Sequence, residues 1–271
     1  MSVQIETVQT DTFSMDYFRF GHGEKTMVIL PGLSVQSVMG FADTVVDAYQ
    51  VFSDDYTVYL FDRRKELPDS YSVYDMAKDT AAAFRALHLE HVNLFGASQG
   101  GMIAMTIAIE QPDLVQSLVL GSTSPCVKDA QYQTIGNWIG KAKVGESEEL
   151  YLAFGEAVYP KEVYEQSREL LVQAAGTVTG EDMKRFVILA EGVKGFDVTS
   201  RLNTISCPVL VIGSLDDRVL GPDASVQIAA NLKRQTGVVL HMYNSYGHAA
   251  YDTAPDYKEW ILHFLKSVSS D

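Results

Sequence analysis

Ser98 lies in the run Gly96-Ala97-Ser98-Gln99-Gly100-Gly101, with Val92-Asn93-Leu94-Phe95 before it and Met102 and Ile103 after it. An apolar strand turning through a serine straight into an apolar helix is the pattern of a nucleophile elbow. A serine held at so tight a turn has a strained backbone, and the chains entering and leaving it pass so close that only small residues fit two positions to either side. Gly96 and Gly100 fill those positions. The helix that follows points its free N–H groups and positive dipole end at the same spot, which favours negative charge on a bound carbonyl oxygen. The backbone N–H of Gln99 is one expected oxyanion donor.

A serine hydroxyl is a poor nucleophile until a base takes its proton, and histidine has the pKa for that task near neutrality. Of the six histidines, His22 precedes the first buried strand, His88 and His91 flank a helix end, His241 lies inside a strand and His263 in the last helix. Only His248, in Asn244-Ser245-Tyr246-Gly247-His248-Ala249-Ala250, follows a strand late in the chain. An acid must then orient the imidazole and stabilise its cation. Asp216 and Asp217, in Gly213-Ser214-Leu215-Asp216-Asp217-Arg218, both follow the preceding strand. A turn aspartate is the commoner role for such a residue. We take Asp216 as the acid, because three residues past the strand-ending glycine is where this loop usually turns its acid inward; Asp217 is the alternative. The stretch Gly121-Ser122-Thr123-Ser124 after an earlier strand offers no acid.

The elements around these residues set the fold class. Residues 4–9 and 13–20 read as a hairpin, and residues 26–30, 57–61, 92–95, 118–120, 208–212 and 238–240 as buried strands. Helical spacing covers residues 38–52, 73–87 behind the capping Ser72, 102–109, 223–232 and 257–268. Strand–helix alternation predicts an α/β fold, a mostly parallel sheet flanked by helices, with active groups at the C-terminal strand ends. Between Ser122 and about residue 196 the alternation stops and only helical segments follow, near residues 131–144, 148–158, 162–175 and 181–193. Residues 1–124 and 197–271 are therefore expected to form the core, with residues 125–196 a helical insertion after the sixth strand.

Composition narrows the function classes. A chain of 271 residues with 46% hydrophobic and 21% charged side chains is an ordinary globular sequence with no membrane span. Its net charge of -14 argues against nucleic acid and anionic membrane as partners. The start Met1-Ser2-Val3-Gln4-Ile5-Glu6 has neither basic residues nor an apolar core, so no secretory signal is expected and a cytoplasmic location is. Cys126 and Cys207 read as reduced thiols without metal-ligand spacing. No metal or cofactor is expected, and the partner is a small-molecule substrate.

With these residues in place, the chain resembles the α/β-hydrolase superfamily over nearly its whole length. The resemblance is carried by Leu30-Pro31-Gly32-Leu33, Phe61-Asp62-Arg63-Arg64, Gly96-Ala97-Ser98-Gln99-Gly100-Gly101, Gly213-Ser214-Leu215-Asp216 and Gly247-His248. It implies that Leu33 supplies a second oxyanion N–H beside that of Gln99 and that the helical insertion is a cap over the pocket. Many members carry His-Gly where this chain has Pro31-Gly32, but the donor is backbone. Dehalogenases and epoxide hydrolases of this fold need a carboxylate at the elbow, and dienelactone hydrolases a thiol; a serine implies a carboxylesterase-like acyl-enzyme route.

Met102, Trp138, Ile139, Tyr151 and Phe154 are candidate pocket-lining residues, with cap–core packing as their alternative role. No pair of arginines suggests a carboxylate or phosphate clamp, and Arg63-Arg64-Lys65 reads as a solvated loop. Small apolar acyl esters, lactones or thioesters are the expected substrates. A relative using the same residues for carbon–carbon hydrolysis, elimination or acyl transfer, and a ligand-binding pseudo-enzyme, remain as alternatives.

Overall fold

Apolar runs bounded by turn residues give eight strands in the computed structural model, which describes residues 3–232 and 237–268. They are β1 (Glu6–Gln9), β2 (Ser14–Phe20), β3 (Lys25–Leu30), β4 (Tyr56–Arg64), β5 (Val92–Ala97), β6 (Val115–Gly121), β7 (Val209–Ser214) and β8 (Val238–Tyr243). All join one sheet in the order β1-β2-β4-β3-β5-β6-β7-β8. β1 and β2 form an antiparallel hairpin, β2 runs antiparallel to β4, and every other neighbouring pair is parallel.

Because successive strand residues face opposite sides, the sheet divides the core in two. Val28, Leu30, Leu94, Leu118, Leu120, Val209 and Val211 join one buried cluster. Met27, Ile29, Phe95, Val119, Leu210 and Ile212, their immediate chain neighbours, join the other. A strand covered on both faces has no polar side, and every position of β5 and of β7 is buried.

The helices are α1 (Ala42–Tyr49), α2 (Val73–Ala86), α3 (Gln99–Glu110), α4 (Asp129–Val144), α5 (Ser147–Val158), α6 (Lys161–Ala175), α7 (Gly180–Glu191), α8 (Asp223–Asn231), α9 (Ala250–Thr253) and α10 (Tyr257–Val268). A Ser72–Asp75 capping box starts α2. In α3 every residue from Gln99 to Ala108 is buried, as expected of a helix apolar all round. Helices α4 to α7 follow β6 with no sheet strand among them. An isolated antiparallel bridge between Cys126 and Asp197 joins the chain where it leaves the core and where it returns.

Differences from the sequence reading include β4 and a short extra helix. β4 runs to Arg64, because β2 keeps pairing with it as far as Met15 opposite Arg64; the basic run expected in a loop begins inside the sheet. The short α9 was not expected. Among the described residues no helix is long and apolar enough to cross a membrane.

Candidate active site

The turn between β5 and α3 holds Ser98 at φ 52° and ψ -119°, a backbone region that costs a non-glycine residue about 1–3 kcal/mol. Surrounding contacts impose it. A Cβ at Gly96 would lie 2.4 Å from the carbonyl oxygen of Gly100, and one at Gly100 would lie 2.0 Å from that of Leu30. Both obstacles are backbone, so only glycine fits. The Ser98 N–H donates to the Gly121 carbonyl at 2.9 Å, and Thr123 Oγ1 donates to the Ser98 carbonyl at 2.6 Å. The end of β6 thus pins the serine from both sides.

His248 is buried and reaches Ser98 across the ends of the strands. Its Nε2 lies 2.9 Å from Ser98 Oγ and its Nδ1 lies 2.9 Å from Oδ2 of Asp217. A carboxylate at Nδ1 fixes the proton on that nitrogen and leaves Nε2 to accept from the serine hydroxyl. Burial pushes the Asp217 carboxyl up. The charge and hydrogen bond of His248, with the N–H groups of Leu220 and Val219, outweigh that effect and hold it below its ordinary value. Those N–H groups donate to Oδ1 at 3.0 and 2.8 Å.

The structure therefore corrects the choice of acid: Asp217, not Asp216, faces the imidazole. β7 continues through Ser214, which pairs with Tyr243, so the turn starts one residue later than the glycine suggests. Asp216 falls on its half-exposed outer side. There its Oδ1 accepts from Ser214 Oγ and from the Gly247 N–H at 2.8 Å. Asp216 thus braces the backbone that carries His248.

Beside Ser98 lies a narrow cavity of about 30 Å³. Leu33, Met102, Ile135, Trp138, Phe154, Val158, Val193, Val219, Leu220 and Tyr251 line it together with Ser98, Gln99 and His248. No carboxylate, lysine or arginine is among them. Trp138 and Phe154, from the helical insertion, stand with ring centroids 4.6 Å apart. Of the candidate lining residues, Met102, Trp138 and Phe154 face the cavity, whereas Ile139 and Tyr151 do not. Tyr151 instead donates to the Gln36 side chain at 2.8 Å.

Leu33 and Gln99 both border this cavity, and the chain before Leu33 passes so close that a Cβ at Gly32 would be 3.2 Å from Ser98 Cβ. Gln99 opens α3, where backbone N–H groups have no partner within the helix. Both residues expected to supply oxyanion donors thus line the wall around the serine.

Sequence reasoning missed Arg63, which is 4% exposed rather than solvated. Its Nη2 donates to the Pro31 carbonyl at 2.8 Å and to Gln99 Oε1 at 3.2 Å. The signal was the length of the strand, since an extended chain past Phe61 carries Arg63 into the interior. Tyr251 was missed because it lies in the unexpected α9. Cys207 is half-buried, and burial pushes its thiol up to about 11. Among the described residues no group of three or more His, Cys, Asp or Glu is placed to hold a metal ion.

The α/β hydrolase fold family model matches residues 25–138. A protein named carbamate hydrolase RutD, from Variovorax paradoxus, is 28% identical over 212 residues, covering 75% of this chain and 77% of its own. Among solved structures, MGS-M2, an α/β hydrolase from a Medee basin deep-sea metagenome library, superposes with a TM-score of 0.85 at 20% identity, covering 96% of this chain and 97% of its own. The enol-lactonase from Burkholderia xenovorans LB400 does so with a TM-score of 0.82 at 16% identity, covering 96% and 100%. Its eight-stranded sheet and the serine elbow after β5, with these likenesses, show that the chain has the α/β-hydrolase fold.

Proposed function

We propose that the protein is a serine hydrolase that cleaves a small, largely apolar carboxylic ester, lactone or thioester through an acyl-enzyme. The observation that carries this reading is the line Ser98 Oγ, His248 Nε2, His248 Nδ1, Asp217 Oδ2, with both contacts at 2.9 Å. Ser98 Oγ attacks the carbonyl carbon while His248 Nε2 takes the hydroxyl proton, and the Leu33 and Gln99 N–H groups hold the oxyanion. As the tetrahedral intermediate collapses, the proton passes to the departing alkoxide or thiolate. A water then gives one proton to His248 and adds its oxygen to the acyl carbon. Ser98 leaves with the proton returned, so one water is consumed for one acid and one alcohol or thiol. Asp217 stays ionised throughout.

Trp138 and Phe154 suit an apolar acyl group, with the helical insertion as the cap. The relatives named carbamate hydrolase share the chemical class of hydrolysis. A bare carbamate anion, however, would meet apolar walls with no cation among the lining residues, which favours a neutral ester-like substrate.

The test is labelling with a fluorophosphonate, read by intact mass for wild type and Ser98→Ala, alongside turnover of nitrophenyl esters of rising acyl length. Stoichiometric labelling lost in Ser98→Ala, with turnover that depends on acyl length, is expected. A folded wild type that neither labels nor turns over overturns the reading.

A further inference from the structure

The buried guanidinium of Arg63 is spent on neutral acceptors. Asp62, beside it in the chain, gives its carboxylate to Ser37 Oγ, to the Arg63 backbone N–H and to Arg185 of α7, leaving the Arg63 side chain to the Pro31 carbonyl and to Gln99 Oε1. Burial pulls this guanidinium down to about 10, with Asp62 raising it and Arg185 lowering it again, so it remains a cation at neutral pH. Burying a cation on two uncharged oxygens is costly. What it holds is the peptide segment leading to Leu33 on one side and the first residue of α3 on the other.

Gln99 is clamped at both ends of its amide. Its Oε1 accepts from Arg63, and its Nε2 donates to the Leu189 carbonyl of α7 at 2.7 Å. Gln99, which lines the cavity, therefore has its side chain fixed between the sheet and the helical insertion. The loop of the other expected donor is held two residues before Leu33, at Pro31.

We propose that Arg63 is a positioning residue that sets the geometry of both oxyanion donors through the Pro31 carbonyl and the Gln99 amide. The proposal rests on the serine-hydrolase reading above. Because the hole acts on the charge of the transition state, a displaced donor lowers turnover far more than substrate binding. The guanidinium charge behind the donors acts in the same direction.

The test compares wild type, Arg63→Met, Arg63→Lys and Gln99→Met for kcat and KM on a short-chain nitrophenyl ester. Affinity for an alkyl trifluoromethyl ketone, which forms a tetrahedral adduct on serine, is measured in parallel. Active sites are counted by end-point fluorophosphonate titration, so that misfolded protein drops out. In Arg63→Met kcat falls by about tenfold to a hundredfold with KM within about threefold, and ketone affinity falls by the same factor as kcat. Arg63→Lys recovers part of the loss through its charge, and Gln99→Met shows the share carried by the amide. Should Arg63→Met fail to fold, Arg63→Lys and Gln99→Met decide the question. Wild-type kcat and ketone affinity per titrated site in those two variants, with only the melting temperature lowered, would overturn the positioning role while leaving the serine-hydrolase reading standing. A wild type that does not label overturns both.

Discussion

Asp216 accepts the Gly247 N–H at 2.8 Å while Asp217, the next residue, holds Nδ1 of His248 at 2.9 Å. Adjacent carboxylates grip adjacent residues of one loop, the first by its backbone and the second by its ring. Asp217→Asn is expected to lower kcat by about 10²- to 10⁴-fold, since an amide favours the wrong imidazole tautomer. Asp216→Asn is expected to cost about tenfold or less, through a looser loop. Steady-state turnover of a nitrophenyl ester by both variants separates the roles, and a larger loss in Asp216→Asn would reverse them.

The same aspartate predicts an acid limit to stability. Its carboxyl is held below the ordinary value in the folded protein, so between the folded and unfolded values the unfolded chain binds more protons and stability rises with pH. The contribution is complete above about pH 4 and is lost as pH falls through the folded value. Wild type and Asp217→Asn should therefore lose stability in parallel down to about pH 4. Below that, wild type should fall faster, by at most about 1.4 kcal/mol per pH unit. Urea unfolding at a series of acid pH values checks this; curves parallel to pH 2 would contradict it.

Glycine at the elbow is a matter of space. Gly100→Ala is expected to cost roughly 3 kcal/mol or more, because its methyl group would meet a backbone oxygen that cannot yield. Gly136→Ala in α4, where nothing lies within 4 Å of the added carbon, is expected to gain up to about 1 kcal/mol from helix propensity alone. Chemical denaturation of the pair reads the difference directly.

The depth of the cavity is set from the helical insertion. Phe154→Ala removes one of the two rings that the helical insertion gives to the cavity wall and is expected to raise the kcat/KM ratio of a six-carbon over a four-carbon acyl ester by roughly tenfold. An unchanged length preference would place the acyl group elsewhere.

Much of this arrangement was legible in the chain. The last helix begins at Tyr257 as its spacing predicts, and the elbow followed from small residues two positions either side of one serine. His248 could be chosen because only it follows a late strand. Asp217 ranked second to Asp216, because β7 gains its last pair, Ser214 with Tyr243, from a partner far along the chain that local spacing does not reveal. Arg63 was missed for a related reason. The reach of β4 is decided by β2 pairing across the hairpin, and a basic triplet looks solvated until that pairing draws one member inside.

The bridge between Cys126 and Asp197 brings the two ends of the long helical detour together. A detour whose entrance and exit touch leaves the sheet ends as close as a short turn would, and because closure cost rises only slowly with loop length, its many residues add little to that cost. Strand register and the Ser98–His248–Asp217 line belong to one side of that gap, and Trp138 and Phe154 to the other. Sheet and insertion thus come from separate stretches of chain, and they meet again beside the serine, where the Gln99 amide donates to the Leu189 carbonyl and the Ala249 N–H to the Val158 carbonyl.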